Sequence, residues 1–555
     1  MKGTKNGVQI VQKQTEVTEV RKYTILVIFG LLSAASVQSK LGIESFVGGF
    51  LVASLLLVIL YRDILRYKPQ YMKKNAMLIL LGVMIVSTIL TGRVFHYVLL
   101  NLSKGVGSLS VEGAVFGMPI AAGAMLIALL FDFHTSIVFS FIVSLLSGLW
   151  LHDAIIPVYA YVGSLTAAFS VIRCKKRSAL LRGGFYAGMA NTVTAIILLL
   201  FQAELFSPKA VSSILFALST GISITALVSV LLPILEYIFN ITTDISLLEL
   251  LDLNQPLMKS LMIGAPGTYH HSVIVGSLVE AAAEAVGVNP LLARVSAYYH
   301  DIGKIKMPEY FVENQNGTVS KHEKLTPHLS TMTIVSHVKE GVELARHHKV
   351  PQSIIDIIQQ HHGNSLIAYF YQKARDQHEI QKADISRSRD SHRPESGYEP
   401  SEAEYRYPGP KPQTRVAALV MMADAVEAAS RVLTDPTAAR IDALVDRIIN
   451  HIFLEGQLDE CELTLKDISE IKKHFSYILT GILHKRIDYP GFDFGAGTKR
   501  MPAKDTERGM GGETHVSRQT HDGLHKESPK VDTDKPSGTE KRFPEAPPFV
   551  RSSER

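Results

Sequence analysis

The sequence predicts an all-α protein in two parts: a polytopic transmembrane helical bundle, then an all-α cytoplasmic domain. Three observations predict it. Residues 41–237 carry a succession of long apolar runs. Residues 238–490 show the mixed composition and helical periodicity of a globular domain. Strand signals are nearly absent. The whole-chain figures (555 residues, 47% hydrophobic, 20% charged, net charge +5) average over this division.

Seven apolar segments stand near 41–61, 76–100, 112–131, 134–151, 154–173, 182–201 and 211–237. Each has roughly the 17–25 residues a helix needs to cross the hydrocarbon core. Basic residues orient them. The loop after the first segment holds Arg62, Arg66, Lys68, Lys73 and Lys74, and the loop after the fifth holds Arg173, Lys175, Lys176, Arg177 and Arg182. The loops near 101–111 and 202–210 hold one lysine each, Lys104 and Lys209. Basic loops stay cytoplasmic, so everything after residue 237 is expected inside a multi-pass cell-membrane protein.

Residues 23–40, YTILVIFGLLSAASVQSK, either form an eighth span in a tight hairpin with the next segment or, being short and ending in polar residues, do not span; the second reading is favoured. The opening MKGTKNGVQIVQKQTEV lacks the basic-then-apolar order of a signal peptide. Trp150 ends a span, where an interfacial anchor is expected, and the LHDA that follows reads as a solvated turn. Arg93 is the main charge inside the apolar segments, too little to mark a transporter's ion path.

In the cytoplasmic part, LLELLDLNQPLMKSLM is an amphipathic run linking the last span to the domain. Pro266 and Gly267 mark a turn, and an Ala-rich helix follows with Gly287 as its stop. Asn289 and Pro290 open a second helix that ends at His300–Asp301. Further helical periodicity appears near 328–347, 351–362, 414–433, 437–454 and 465–483. Residues 373–405 are polar and aperiodic, and are expected to be a flexible insertion before the stiffer RYPGPKPQT. Residues 491–555 are too polar to offset ordering entropy and are expected to be disordered.

Only two cysteines occur, Cys174 and Cys461, which excludes a disulfide framework and a Cys-ligated zinc site. Histidine is abundant, at 21 residues, with doublets at 270–271, 347–348 and 361–362. The candidate metal ligands are His271, His300, Asp301, His337, His361, His362 and Asp424. They fall on or beside separate predicted helices, and a helical bundle can aim such side chains at one point. Asp424 sits on an apolar helix between MMA and AVEAA, where an unpaired carboxylate is costly. His347–His348 sit at a helix end, where cations meet the dipole favourably, and they are set aside together with His270. Five imidazoles and two carboxylates suit two divalent first-row ions such as Mn or Fe.

From GTYHHS through HDIGK, His337, QQHHG, RYPGPKPQT and MMADAVEAA, the chain resembles the HD-domain metallophosphohydrolases. More narrowly it resembles the seven-transmembrane HD family, whose members are cyclic-di-AMP phosphodiesterases, over residues from about 41 to 485. The resemblance implies one metal held by His271, His300, Asp301 and Asp424, and a second held by Asp301, His337, His361 and His362, with Asp301 bridging. A hydroxide generated there is expected to open the cyclic dinucleotide to a linear 5′-phosphorylated product. Lys304 is the candidate to steady a phosphate oxygen, and Arg406, Tyr407 and Lys411 in the Pro-stiffened loop are candidate substrate contacts. Members of the family usually carry a large extracytoplasmic ligand-binding domain before the spans, which makes residues 1–40 a remnant of one.

The expected partners are a cyclic dinucleotide and the lipid bilayer, with no nucleic-acid polymer and with oligomerisation left open. Two alternatives stay open as well. One is hydrolysis of cyclic di-GMP or another nucleotide, although Tyr407-Pro408-Gly409 is not the Gly-Tyr-Pro signature of the HD-GYP class. The other is a nucleotide-binding membrane receptor without turnover, against which the complete ligand set argues.

Overall fold

The computed structural model describes residues 2–39, 42–73, 75–172, 174, 176–315, 320–387 and 399–483. The tail expected to be disordered lies outside them. Among the described residues there are eighteen α-helices and no strand, only an isolated bridge between Leu366 and Arg406.

Eight helices make up the apolar half: α1 (Lys2–Val37), α2 (Ile43–Tyr67), α3 (Asn75–Val106), α4 (Ala121–Leu130), α5 (Phe133–Leu151), α6 (Ile156–Ser170), α7 (Ser178–Phe201) and α8 (Pro208–Phe239). Seven stretches are long and apolar enough to cross a bilayer, the number expected, but the membership differs. Glu19–Val37 qualifies, against the non-spanning assignment of 23–40. The helix continues before Tyr23 through Glu19, Val20, Arg21 and Lys22, and the polar Gln38 and Ser39 lie past its end. The 154–173 segment does not qualify, because α6 has 15 residues. At the helical rise that is only about 22 Å, short of the roughly 30 Å core. Pro157 sits in its first turn, and a turn at Val171 ends it. Helix α4 is also short, and completes its span with the 3-10 turn Val111–Gly117.

The intramembrane charge has a backbone partner. Arg93 Nη1 donates to Ser36 O at 2.8 Å and Gln38 O at 3.2 Å, satisfying carbonyls that the end of α1 leaves free. Trp150 is 8% exposed and lies under the Arg93 guanidinium, 5.6 Å from ring to cation. It is packed inside the bundle, at the end of α5. His152 ends α5 in the left-handed region (φ 52°) and hydrogen-bonds Ser39 Oγ at 2.6 Å.

Ten helices follow: α9 (Asp244–Leu250), α10 (Pro256–Gly264), α11 (Pro266–Ala285), α12 (Pro290–Tyr299), α13 (Pro327–His347), α14 (Gln352–Gln360), α15 (Ala368–Arg387), α16 (Arg415–Ser430), α17 (Ala438–Leu454) and α18 (Leu465–Leu483). Their starts follow from capping chemistry. Asn289, Thr326 and Thr414 each accept from a backbone N–H three residues on, at 3.0, 3.3 and 3.1 Å. Pro290 and Pro327 then fill first-turn positions that need no donor. Pro266 likewise opens α11, so the expected turn at 266–267 is the helix's own first turn. Gly287, at φ 68°, is the stop the sequence places there.

The expected insertion at 373–405 is in part a helix. Phe370 and Ala374 of α15 are buried one turn apart in a cluster with Tyr405, and the Gln, Lys, Arg and Glu residues of the helix are good helix formers. The returning chain pairs with the segment before α15: Ile367 N donates to Tyr405 O at 2.8 Å and Tyr407 N to Ser365 O at 3.1 Å. Residues 388–398 lie outside the described set.

Helix α12 determines where chemistry can happen. Its Ala293 and Ala297 pack in one core with α11, α16, α17 and α18, while Val295, Tyr298 and Tyr299 pack in a second core with α9, α10 and α14. Packed into both cores, α12 delivers its C-terminal end, His300–Asp301, to the middle of the domain. The domain meets the apolar half where Thr242 Oγ1 lies 2.9 Å from Ser353 Oγ, and where Arg177 pairs with Glu249 of α9 at 2.6 and 3.0 Å.

Candidate metal centre

The seven sequence-predicted ligands converge. They form two overlapping groups, Asp301 with His337, His361 and His362, and Asp301 with His271, His300 and Asp424. Within each group the ligand atoms lie within 4.8 Å of one another. His271 comes from α11, His300 and Asp301 from the end of α12, His337 from α13, His361 and His362 from the end of α14, and Asp424 from α16. The histidines set aside, His270, His347 and His348, are exposed.

Asp301 stands between the groups, and each oxygen serves one of them. Oδ2 lies 3.2 Å from His300 Nε2 and 3.6 Å from His271 Nε2. Oδ1 lies 3.4 Å from His337 Nε2 and 3.7 Å from His361 Nε2. Asp424 reaches both groups too, with Oδ1 3.0 Å from His271 Nε2 and Oδ2 3.7 Å from His362 Nδ1.

Three imidazoles are oriented by helical backbone. His300, His337 and His361 direct Nδ1 at the carbonyls of Ala297, Ile334 and Ile358, at 2.7, 2.5 and 2.7 Å. A carbonyl only accepts, so Nδ1 carries the proton and Nε2 faces inward. His300 Nε2 and both Asp301 oxygens are buried without a hydrogen-bond partner, although the Lys304 ammonium stands 2.7 Å from Oδ2. Orphaned buried acceptors are expensive, and a divalent cation satisfies them. With no thiolate among them, these residues fit such ions.

Charge reinforces the geometry. Burial pushes the Asp301 carboxyl up, but His300 and Lys304 outweigh it and hold Asp301 well below the usual carboxylate range. Asp424 is held down likewise, against its burial, by His271 and His300. Burial drives His337 down to about 3 and His362 well below its ordinary value, so both rings are neutral at pH 7. Neutral imidazole is the form that binds metal.

Gly303 explains why a glycine follows the His–Asp pair. A Cβ there would sit 1.8 Å from His337 O and 2.6 Å from Gly341 N. Only without that carbon can the turn press on the α13 backbone and bring His337 beside Asp301. Lys304 is buried between Asp301 and Glu313, with Nζ 2.9 Å from Glu313 Oε1 and 5.0 Å from the Phe311 ring centroid.

Of the three loop residues expected at the substrate, Tyr407 alone reaches the ligand set. It is 9% exposed and stacks on His362. Arg406 pairs with Glu402 and donates Nη1 to Asn364 O at 2.9 Å. Lys411 donates to Gly456 O at 2.7 Å and faces Asp459 at 3.4 Å. Both cations are thus engaged away from the ligands, holding the loop in place.

Two carboxylates at the centre escaped the sequence reading. Glu427 accepts from His271 Nδ1 at 2.5 Å, and Glu313 holds Lys304. Glu427 had a signal, since it lies three residues after Asp424 on one face of α16. Glu313 had none: it sits in an aperiodic 3-10 turn, Val312–Asn314.

The family model for a 7TM receptor with intracellular HD hydrolase matches residues 43–243, and the HD-domain model matches residues 268–429. The chain is 39% identical over 381 residues to the cyclic-di-AMP phosphodiesterase PgpH of Bacillus subtilis, covering 67% of this chain and 51% of that protein. It is 34% identical over 491 residues to the protein of the same name from Listeria monocytogenes, covering 87% and 63%. It thus spans between half and two thirds of the length of these curated relatives. Among solved structures, the L. monocytogenes PgpH HD domain in complex with cyclic di-AMP is 44% identical, with all of that chain matched by 42% of this one at a TM-score of 0.37.

Proposed function

We propose that this chain, which belongs to the seven-transmembrane HD-domain family, is a membrane-bound, metal-dependent phosphodiesterase that hydrolyses cyclic di-AMP to linear 5′-phosphorylated pApA. One observation carries the reading: the two oxygens of the buried Asp301 are divided between two groups of imidazole and carboxylate ligands. That is the arrangement a pair of divalent ions requires, and Mn or Fe suits the nitrogen-rich donor set. The substrate follows from the two curated relatives named for that activity. We place the domain on the cytoplasmic side: with the short α6 crossing together with its neighbours, the basic residues at 62–74 and 173–182 face the same side as the domain, where a nucleotide messenger would be met.

In this reading His271, His300, Asp301 and Asp424 hold one ion, and Asp301, His337, His361 and His362 hold the other. When bound, such a pair lowers the pKa of a water and clamps a phosphodiester for in-line attack. The protein fixes the geometry. Backbone carbonyls orient the imidazoles, burial keeps bulk water from the ligands, and Lys304 offers its ammonium to a phosphate oxygen. Lys304 is charged when it does so: burial pulls it down, but Asp301 and Glu313 hold it above the usual lysine range. Hydrolysis breaks one P–O3′ bond, and water supplies the new P–O bond and the proton taken by the 3′-oxygen.

The test is turnover by the detergent-purified full chain, supplied with Mn²⁺ and either cyclic di-AMP or cyclic di-GMP. Selective conversion of cyclic di-AMP to pApA is expected. Equal rates would remove the adenine assignment. Binding of either nucleotide without turnover, at full metal occupancy, would make the protein a receptor.

A further inference from the structure

Four of the five clustered imidazoles have a hydrogen bond at Nδ1, and one of the four bonds differs in kind. His300, His337 and His361 use neutral carbonyls of their own helical turns. His271 uses a carboxylate from another helix, Glu427 Oε2 at 2.5 Å. Glu427 is 2% exposed, and Arg431 grips it from one turn on, with Nε at 2.9 and 3.0 Å and Nη2 at 2.8 Å. A buried carboxylate so fully committed is costly to assemble. Its partners are one metal-ligand candidate and one arginine.

We infer that Glu427 is a positioning residue that makes the His271 side the tighter of two unequal ion sites. This rests on the dinuclear reading above. The carboxylate can only accept, so His271 Nδ1 carries the proton and Nε2 faces Asp424 Oδ1 at 3.0 Å and Asp301 Oδ2 at 3.6 Å. An anionic acceptor draws that proton harder than a carbonyl does and makes Nε2 the stronger donor to a cation. Asp424 and Glu427 share one face of α16, so a ligand and the group orienting a second ligand move as one body. The other site has no counterpart: His337 and His361 lean on carbonyls, and His362 stacks on Tyr407.

The experiment compares the full chain with Glu427→Gln and Glu427→Ala, each loaded with Mn²⁺ in detergent. Bound metal is followed against graded chelator by elemental analysis, and the coupled two-manganese signal by electron paramagnetic resonance. Glutamine keeps a hydrogen-bond acceptor and loses the charge. It is expected to release the ion that leaves second from the wild-type chain at about tenfold lower chelator, within the 10- to 100-fold range for outer partners of metal ligands, so that the two release steps draw together. Alanine should release that ion more easily still. Thermal unfolding of the metal-free forms identifies a variant that fails merely by misfolding, and Glu427→Gln, nearly isosteric, then decides. Wild-type retention of both ions by a folded Glu427→Gln would overturn the inference. A wild-type chain that never holds two ions would instead overturn the dinuclear reading beneath it.

Discussion

The rings of His362 and Tyr407 lie nearly face to face, with centroids 4.2 Å apart and planes 24° apart. His362 is the most exposed of the candidate ligands, at 23% of its side chain, and it has no backbone carbonyl to orient it. The tyrosine takes over that role. It sits in the loop that Arg406 and Lys411 anchor, which makes the loop part of the metal centre rather than a cover over it.

If the stack orients the ligand, the ring matters and the hydroxyl does not. Tyr407→Phe should leave ion affinity unchanged. Tyr407→Ala should weaken it by up to about tenfold, the equivalent of the roughly 0.5–1.5 kcal/mol an aromatic pair contributes. Metal titration of the two variants checks this. Equal losses in both would transfer the role to the phenol group.

Asp301 and His271 should differ in what their removal costs. Asp301→Ala takes a ligand from both ions, so metal content should fall from two to none and turnover to background. His271→Ala takes one ligand from one ion, and the His337 side should keep its metal. Retention of metal and activity in purified Asp301→Ala would falsify the bridging role.

Gly303→Ala tests the close approach behind the His–Asp turn. The obstacles are backbone atoms of α13, at 1.8 and 2.6 Å from the new carbon, and backbone cannot rotate away. Overpacking of this kind typically costs 1–3 kcal/mol, so a lowered unfolding temperature is expected. The separation falls between Asp301 and His337, so the ion on that side should be lost first. A variant that is destabilised but binds both ions normally would assign the glycine to packing alone.

Stability should itself depend on metal. An ion that binds only the folded chain at one hundred times its Kd adds about 2.7 kcal/mol. Thermal scans of the detergent-solubilised chain should therefore rise with Mn²⁺ and fall with chelator. Asp301→Ala should show neither response. A metal-induced shift that survives that substitution would place the binding elsewhere.

Most of the centre was legible because its ligands occupy helix ends and apolar faces, where a polar residue stands out. His300–Asp301 at the close of α12 and Asp424 among the buried residues of α16 are of this kind. Glu427 lies within the quoted MMADAVEAA, where its spacing from Asp424 marks a shared face but not what that face meets. Its burial depends on His271, 156 residues away, and no local pattern reports such a partner. The run at 23–40 reads as short because Glu19, Arg21 and Lys22 just before it are charged, while the helix continues through them. Residues 373–405 lack apolar periodicity, since of the buried anchors of α15 Phe370 lies before that stretch and Ala374 just inside it. Arg406 and Lys411 carry the charge a phosphate contact needs, while in the structure Arg406 meets Glu402 four residues back and Lys411 meets Gly456 and Asp459.

The double membership of α12 has one more consequence. A helix gripped by two cores has no cheap way to fray, since releasing either face exposes apolar area in both. Amide protons at Tyr298–Asp301 should exchange with deuterium only as fast as the whole domain opens. The protection map of this half of the molecule should therefore peak at the residues that hold the ions, the inverse of the loose, loop-borne sites found in many hydrolases.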